Sequence, residues 1–359
     1  MAISSIVAGR SVRILLIPMF LLIFLTGCYT VEQGYHFLKD QLRAKPLEQA
    51  VARWPQYASF FEEAESIRAF GRDELGLADT ESYTRFIPLD RDYLVSVVSA
   101  VDPVSFERKL WHYPIVGPAP YKGFYREKAA LRTAERLEQQ GWETFVRKVG
   151  AFSTLGYFRD PLYSYMSEYH PERLASMLFH EMTHATVWIQ GDVPLNEAVA
   201  VFVGDQGALE YLRQRFGSGS PSYQDALKRQ AERTRFRQFM SELAVRLETL
   251  YASDSDAETK LREKRRIIAD EKLRFAENYD QWLSDDSYRG FLEREVNNAY
   301  VDLYRTYNSD VELIASLYAA REENLRSVLE AFREDGDGRT YRSLLREWLA
   351  EEPQEPTTL

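Results

Sequence analysis

The sequence predicts a predominantly α-helical α+β protein, and three observations carry that expectation. Long stretches repeat apolar residues at steps of three and four, whereas β-branched character is confined to three short segments. With 45% hydrophobic and 13% aromatic residues the chain is too apolar to stay disordered. Its 359 residues suffice for at least one large core.

At the amino end, Arg10 and Arg13 precede an apolar run from Ile14 to Leu25. That run is shorter than the roughly 20 residues that span a bilayer and suits the apolar core of an export signal. Leu25-Thr26-Gly27-Cys28 resembles a bacterial lipobox, which implies cleavage before a lipidated Cys28. The expected organisation is a lipoprotein signal peptide over 1–27, a folded domain over 28–351 and a polar tail over 352–359. Tyr29 follows the cysteine, where many lipoproteins retained in the inner membrane carry Asp. The expected location is therefore the bacterial cell envelope, anchored in the outer membrane through lipidated Cys28 and facing the periplasm.

Gln33 to Phe70 has helical apolar spacing interrupted at Pro46 and Pro55, which predicts two or three helices. Tyr93 to Ala100, Arg108 to Val116 and Thr144 to Thr154 read as strands of a three-stranded sheet. Glu127 to Gln140 reads as a helix stopped by Gly141. Pro171 opens a helix to about Gln190, Gly191 ends it, and Pro194 starts another that continues to about Phe216. Beyond Pro221 the chain becomes strongly charged. Tyr223 to Tyr251 and Ala257 to Leu283 predict an antiparallel helical hairpin, an arm over 222–283, with Phe236, Phe239, Leu243 and Leu247 facing Leu261, Ile268 and Phe275. Such an arm either stabilises the fold as a solvated element or binds a protein partner beside the site.

Composition limits the chemistry. Cys28 is the single cysteine, so neither an intramolecular disulfide nor a zinc site of paired thiolates is available, and any metal must be held by His and carboxylate. A net charge of −10 gives no reason to expect nucleic acid as a partner.

Within the helix opened by Pro171 stands His180-Glu181-Met182-Thr183-His184. Imidazoles four residues apart share one helical face and can ligate one metal ion. Five histidines in the chain would give about 0.01 such matches by chance. Glu181 lies on the same side, placed to take a proton from a metal-bound water and pass it to a leaving amine. Glu197 is the best third ligand, because an acid stands there in an otherwise apolar segment; its other reading is a carboxylate in the first turn of the new helix. Asp205 either orients a ligand or faces solvent. His36, His112 and His170 read as surface or core histidines.

His180-Glu181-x-x-His184 followed by Asn196-Glu197-x-x-Ala200 resembles the gluzincin metallopeptidases, the clan of thermolysin and the zinc aminopeptidases. More closely, the chain resembles a bacterial family of zinc aminopeptidases predicted from this motif, many of them lipoproteins. The segments that carry the likeness are Tyr113 to Gly117, Tyr121 to Tyr125, Ala151 to Phe158, Asp160 to Leu162, Phe202 to Gly204, Gly207 to Leu212, Asn297 to Ala299 and Tyr307. The resemblance implies zinc, with ligands at His180, His184 and Glu197 and Glu181 as general base. Two departures stand out. Only 12 residues separate His184 from Glu197, shorter than in thermolysin. There is also no Gly-x-Met-Glu-Asn segment, with which the large zinc aminopeptidases recognise a free amine.

In such enzymes an edge strand pairs with the substrate backbone. Gly150 to Gly156 is the candidate, with Ala151, Phe152 and Ser153 at its centre; its alternative is a core strand. A hydroxyl opposite the metal is expected from Tyr307, or next from Tyr157. The expected protein is an exported, lipid-anchored zinc metallopeptidase hydrolysing peptide bonds, favoured as an aminopeptidase on short peptides. The alternatives are an envelope endopeptidase or cell-wall peptide amidase, and a non-catalytic adaptor lipoprotein with a structural metal.

Overall fold

The computed structural model describes residues 33–333, apart from 37, 114–116, 151–158, 191 and 306–307, together with 343. Cys28, Ala151, Phe152, Ser153, Tyr157 and Tyr307 lie outside the described residues. The chain divides into two compact units between Lys45 and Pro46. In the first, residues 38–43 are helical and Asp40 O accepts the Ala44 amide at 3.1 Å.

The second unit is a predominantly helical α+β fold. It opens with α1 (Leu47–Arg53) and α2 (Ala58–Asp73), separated by a 3₁₀ turn at Pro55–Tyr57 where proline pre-sets the backbone. Helix α2 buries Phe60, Phe61, Ala64, Ile67 and Gly71, the stripe that steps of three and four produce. A short strand β1 (Arg85–Ile87) pairs in parallel with a later one, Leu162–Tyr163.

The main sheet is antiparallel. Strand β2 (Val95–Val101) lies centrally, as its run of buried β-branched residues demands. Two of the three expected strands are present; among the described residues the segment from Arg108 to Val116 meets them only at its start, through a single antiparallel bridge from Arg108 to Val101 and the Lys109 amide donating to Ala100 O at 2.9 Å. Trp111–Tyr113 (β3) instead folds back on Gly117–Ala119 (β4) as a separate hairpin. Pro118 and Pro120 explain this, because each removes a ladder donor and keeps the segment out of a sheet interior. The flank of β2 is taken by β5 (Tyr121–Phe124), whose Tyr-Lys-Gly-Phe sequence carries little strand signal. Helix α3 (Glu127–Glu138) packs on the sheet through Ala130, Ala134 and Leu137. Strand β6 (Glu143–Val149) forms the other edge, giving the order β5–β2–β6, and Leu162–Tyr163 is β7.

The helical half begins with α4 (Pro171–Thr186) and α5 (Val193–Phe216). Helix α4 stops short of the expected Gln190 because Val187 turns extended, at φ −133° and ψ 126°. The chain then forms α6 (Pro221–Tyr251) and α7 (Ala257–Trp282), capped by Ser220 and Asp256. These two form the expected hairpin. Phe236, Phe239, Leu243 and Leu247 meet Ile268 and Phe275, and Phe291 of α8 (Gly290–Glu293) with Tyr300 of α9 (Asn298–Arg305) completes the buried cluster. The hairpin is thus built into the fold. Two further helices follow, α10 (Asn308–Ala320) and α11 (Leu325–Arg333).

Charge fastens α6 to α4 and α5. Glu172 is 3% exposed and receives Arg229 at 2.8 Å and Arg233 at 2.6 Å, while Asp205 accepts Arg237 at 3.1 Å and the Ser176 hydroxyl at 3.0 Å. A carboxylate buried this deeply is tolerable only because the guanidinium groups reach it. Asp205 therefore ties α5 to both neighbouring helices. Among the described residues no helix is long and apolar enough to cross a membrane.

Candidate metal centre

Close approach of α4 and α5 is what brings two histidines and a glutamate together. A Cβ on Gly204 would stand 2.6 Å from the Ser176 carbonyl oxygen and 3.3 Å from the His180 Cβ. One on Gly207 would stand 2.7 Å from Leu75 and 3.1 Å from Phe179. Glycine at these positions lets the two backbones come nearer than any side chain would allow.

The connection between the helices is fastened by Asn196, which is 2% exposed. Its amide nitrogen donates to Ile189 O at 2.7 Å and Asp192 O at 2.9 Å, and its carbonyl accepts from Ile189 N at 2.8 Å. Asp192 caps α5 by accepting from Leu195 N at 3.1 Å. Six residues thus suffice to reverse the chain, and the reversal leaves Glu197 facing α4.

His180 Nε2 and His184 Nε2 lie 3.2 Å apart. Glu197 Oε2 is 3.7 Å from the first and Oε1 is 3.5 Å from the second. Bonds of 2.0–2.2 Å to a tetrahedral zinc put its ligand atoms about 3.4 Å apart, so these separations suit one ion of that size. Among the described residues these three form the one group of His and carboxylate close enough to hold a metal. His36, His112 and His170 are not part of it.

Electrostatics favours the ligating forms of the imidazoles. Burial pulls His180 down to about 4, against a backbone hydrogen bond with Ala200 that raises it. Burial pulls His184 down to about 3, and the neighbouring His180 adds to the fall. Both rings are neutral at pH 7, so a cation need displace no proton from them. Burial pushes Glu197 up, and the positive charge of Arg147 on β6 pulls it back. His184 Nδ1 is buried without a hydrogen-bond partner, so packing holds that ring, with Trp188 edge-on at 6.0 Å. Two neutral nitrogens and one carboxylate oxygen fit a divalent cation.

Glu181 follows His180 on α4 and is not one of the three. It lines a cavity of about 10 Å³ together with Tyr83, Asp160 and Ser82, enough for a single water. Tyr83 is 3% exposed and sits at φ +64°, a conformation that costs a residue with a side chain of order 1 kcal/mol or more. Burial pushes its phenol well up, and the carboxylates of Glu181 and Asp160 push it further. Tyr83 and Asn196 were not predicted as functional positions. Asn196 stood beside the expected ligand, whereas nothing in local sequence marks Tyr83, which reaches α4 from a loop about 100 residues upstream.

A family model described as "Putative aminopeptidase" matches residues 29–340 of the chain. No curated protein and no solved structure gives a significant match.

Proposed function

We propose, from the premise that this chain belongs to the "Putative aminopeptidase" family whose model spans it, that the protein is a zinc metallopeptidase of the gluzincin kind. One observation carries the reading: His180, His184 and Glu197 present two imidazole nitrogens and a carboxylate oxygen at 3.2–3.7 Å on two helices that glycine holds together. A zinc ion held there would supply Lewis acidity towards a peptide carbonyl.

The chain's own residues supply the rest. Glu181, next to the ligand His180 and within a cavity of water size, takes a proton from the attacking water and delivers it to the leaving nitrogen. The proton count balances: one leaves water, one reaches the amine, and the carboxylate is restored. Tyr83 and Asp160 line that cavity beside Glu181. Cleavage at the amino end follows the family description, and short peptides are the substrates favoured on the sequence likeness. Export and lipid attachment at Cys28 accompany this reading, resting on the lipobox likeness, and the family match begins at the next residue.

Metal analysis and peptide hydrolysis test the proposal together. Wild-type protein should purify with about one zinc per chain, and His180→Ala should lose it. Glu181→Gln should keep the metal and lose at least 100-fold in kcat, the scale of general acid–base catalysis. If His180→Ala binds zinc as tightly as wild type, or Glu181→Gln hydrolyses peptides normally, the reading is wrong.

A further inference from the structure

Strand β6 is the outermost strand of its sheet, hydrogen-bonded to β2 on one side, with Val97 opposite Arg147. Among the described residues no strand pairs with its other side. Alternate residues of β6 point the same way. On the face that meets the helical half, Glu143 is taken by Lys264 at 2.5 Å and by the Asn298 amide at 2.7 Å, and Phe145 packs edge-on against Tyr300 at 5.1 Å. Arg147 is next along that face. It is half-buried, yet among the described residues its guanidinium makes no hydrogen bond and no ion pair.

The strand ends beside the turn that leads into α4. Gly150 O accepts the Tyr165 hydroxyl at 2.6 Å, and Tyr165 belongs to the 3₁₀ turn Ser164–Glu168 that leads into α4. The positive charge of Arg147 also offsets part of the effect of burial on the Glu197 carboxylate. A cation beside a site that binds a dication does nothing to hold the metal, since like charges repel. Its free fork of donors needs an anion, and a carboxylate is the planar partner that a guanidinium engages through two parallel hydrogen bonds.

We propose that Arg147 on the outermost strand β6 binds a carboxylate of the peptide substrate, so that the enzyme selects short peptides bearing a carboxylate near the scissile bond. This rests on the metallopeptidase reading and narrows its substrate class. An extended peptide laid along the edge of β6 has its backbone read without regard to side chains, and Arg147 supplies the charge reading. The carboxylate is the terminal one or that of an Asp or Glu side chain, and the two sources are separable by experiment.

The test uses the zinc-loaded full-length protein in detergent, with wild type, Arg147→Met and Arg147→Lys compared on matched tripeptides. One pair differs in a terminal carboxylate against a terminal amide, the other in Glu against Gln at the last position of an amide. Wild type should favour the acid of one pair by about 30-fold in kcat/KM, mostly through KM, the size of one charge-assisted pair. In Arg147→Met that ratio should fall to near one, and Arg147→Lys should restore part of it. A preference in the first pair identifies the terminal carboxylate, and one in the second identifies the side chain. If wild type shows no preference in either pair, or Arg147→Met slows acid and amide alike with the ratio intact, the inference is overturned. Calorimetric binding of the same peptides to Glu181→Gln protein reads the preference without turnover. Absence of hydrolysis with an acid preference in binding would then sink the peptidase reading alone, whereas equal binding of acid and amide would sink the role of Arg147.

Discussion

Asn196 makes three hydrogen bonds inside the connection between α4 and α5, and truncation removes them all at once. Asn196→Ala would leave the Ile189 amide buried and unpaired and its carbonyl with only the long bond from Asp192 N at 3.4 Å, at a cost of about 1–3 kcal/mol. The expected result is a lower denaturant midpoint and zinc affinity weaker by about tenfold or more, since Glu197 is the next residue. A variant with wild-type stability and affinity would show that the turn holds its shape without the amide. At this scale the cluster of His180, His184 and Glu197 was legible, because helical spacing alone puts His180 and His184 on one face and the acid at 197 interrupts an apolar run. Arg147 and Tyr83 were not. Each reaches the site from a segment distant in sequence, and an Arg in a strand or a Tyr in a loop looks like many others among 22 tyrosines and a charged composition.

The packing of α4 on α5 makes Gly204 a test of whether interhelical distance sets ligand geometry. A methyl group there meets a backbone oxygen at 2.6 Å, which can yield only if the helices part. Gly204→Ala should cost about 1–3 kcal/mol and weaken zinc binding, because His180 lies on the displaced surface. Gly219→Ala, where a Cβ meets nothing within 4 Å, should change neither by much, and thermal melts with zinc titration of both variants decide the matter. Helices were legible where a proline or a capping residue marks the start, as at Pro171, Pro194 and Asp256. The strand at Tyr121–Phe124 was not, because it takes its place from β2 rather than from its own residues. The end of α4 was overshot for a similar reason: apolar spacing continues through Val187 and Ile189, which are buried outside the helix.

Across the whole molecule, the buried imidazoles tie stability to pH when metal is absent. His180 and His184 titrate near about 4 and about 3 in the fold, against 6.5 when unfolded. Below that value the unfolded chain binds more protons, so stability is fully present above pH 6.5 and is lost as pH falls towards 4 and 3. Glu197, pushed up by burial, works in the opposite sense, one group against two. Melts of metal-free protein between pH 6.5 and 5, above the range of ordinary carboxylates, should therefore show a falling midpoint, and His184→Gln should flatten the slope. A flat wild-type profile over that interval would contradict the burial of the two rings. The short reversal between α4 and α5 has one more consequence, for what the metal can do as a crosslink. Its ligands span residues 180–197, so an ion joining them closes a loop that Asn196 has already closed, and little chain entropy remains to be removed. Unlike a small domain that collapses only around its ion, this protein should keep its architecture through chelation and take the metal back into a site waiting for it.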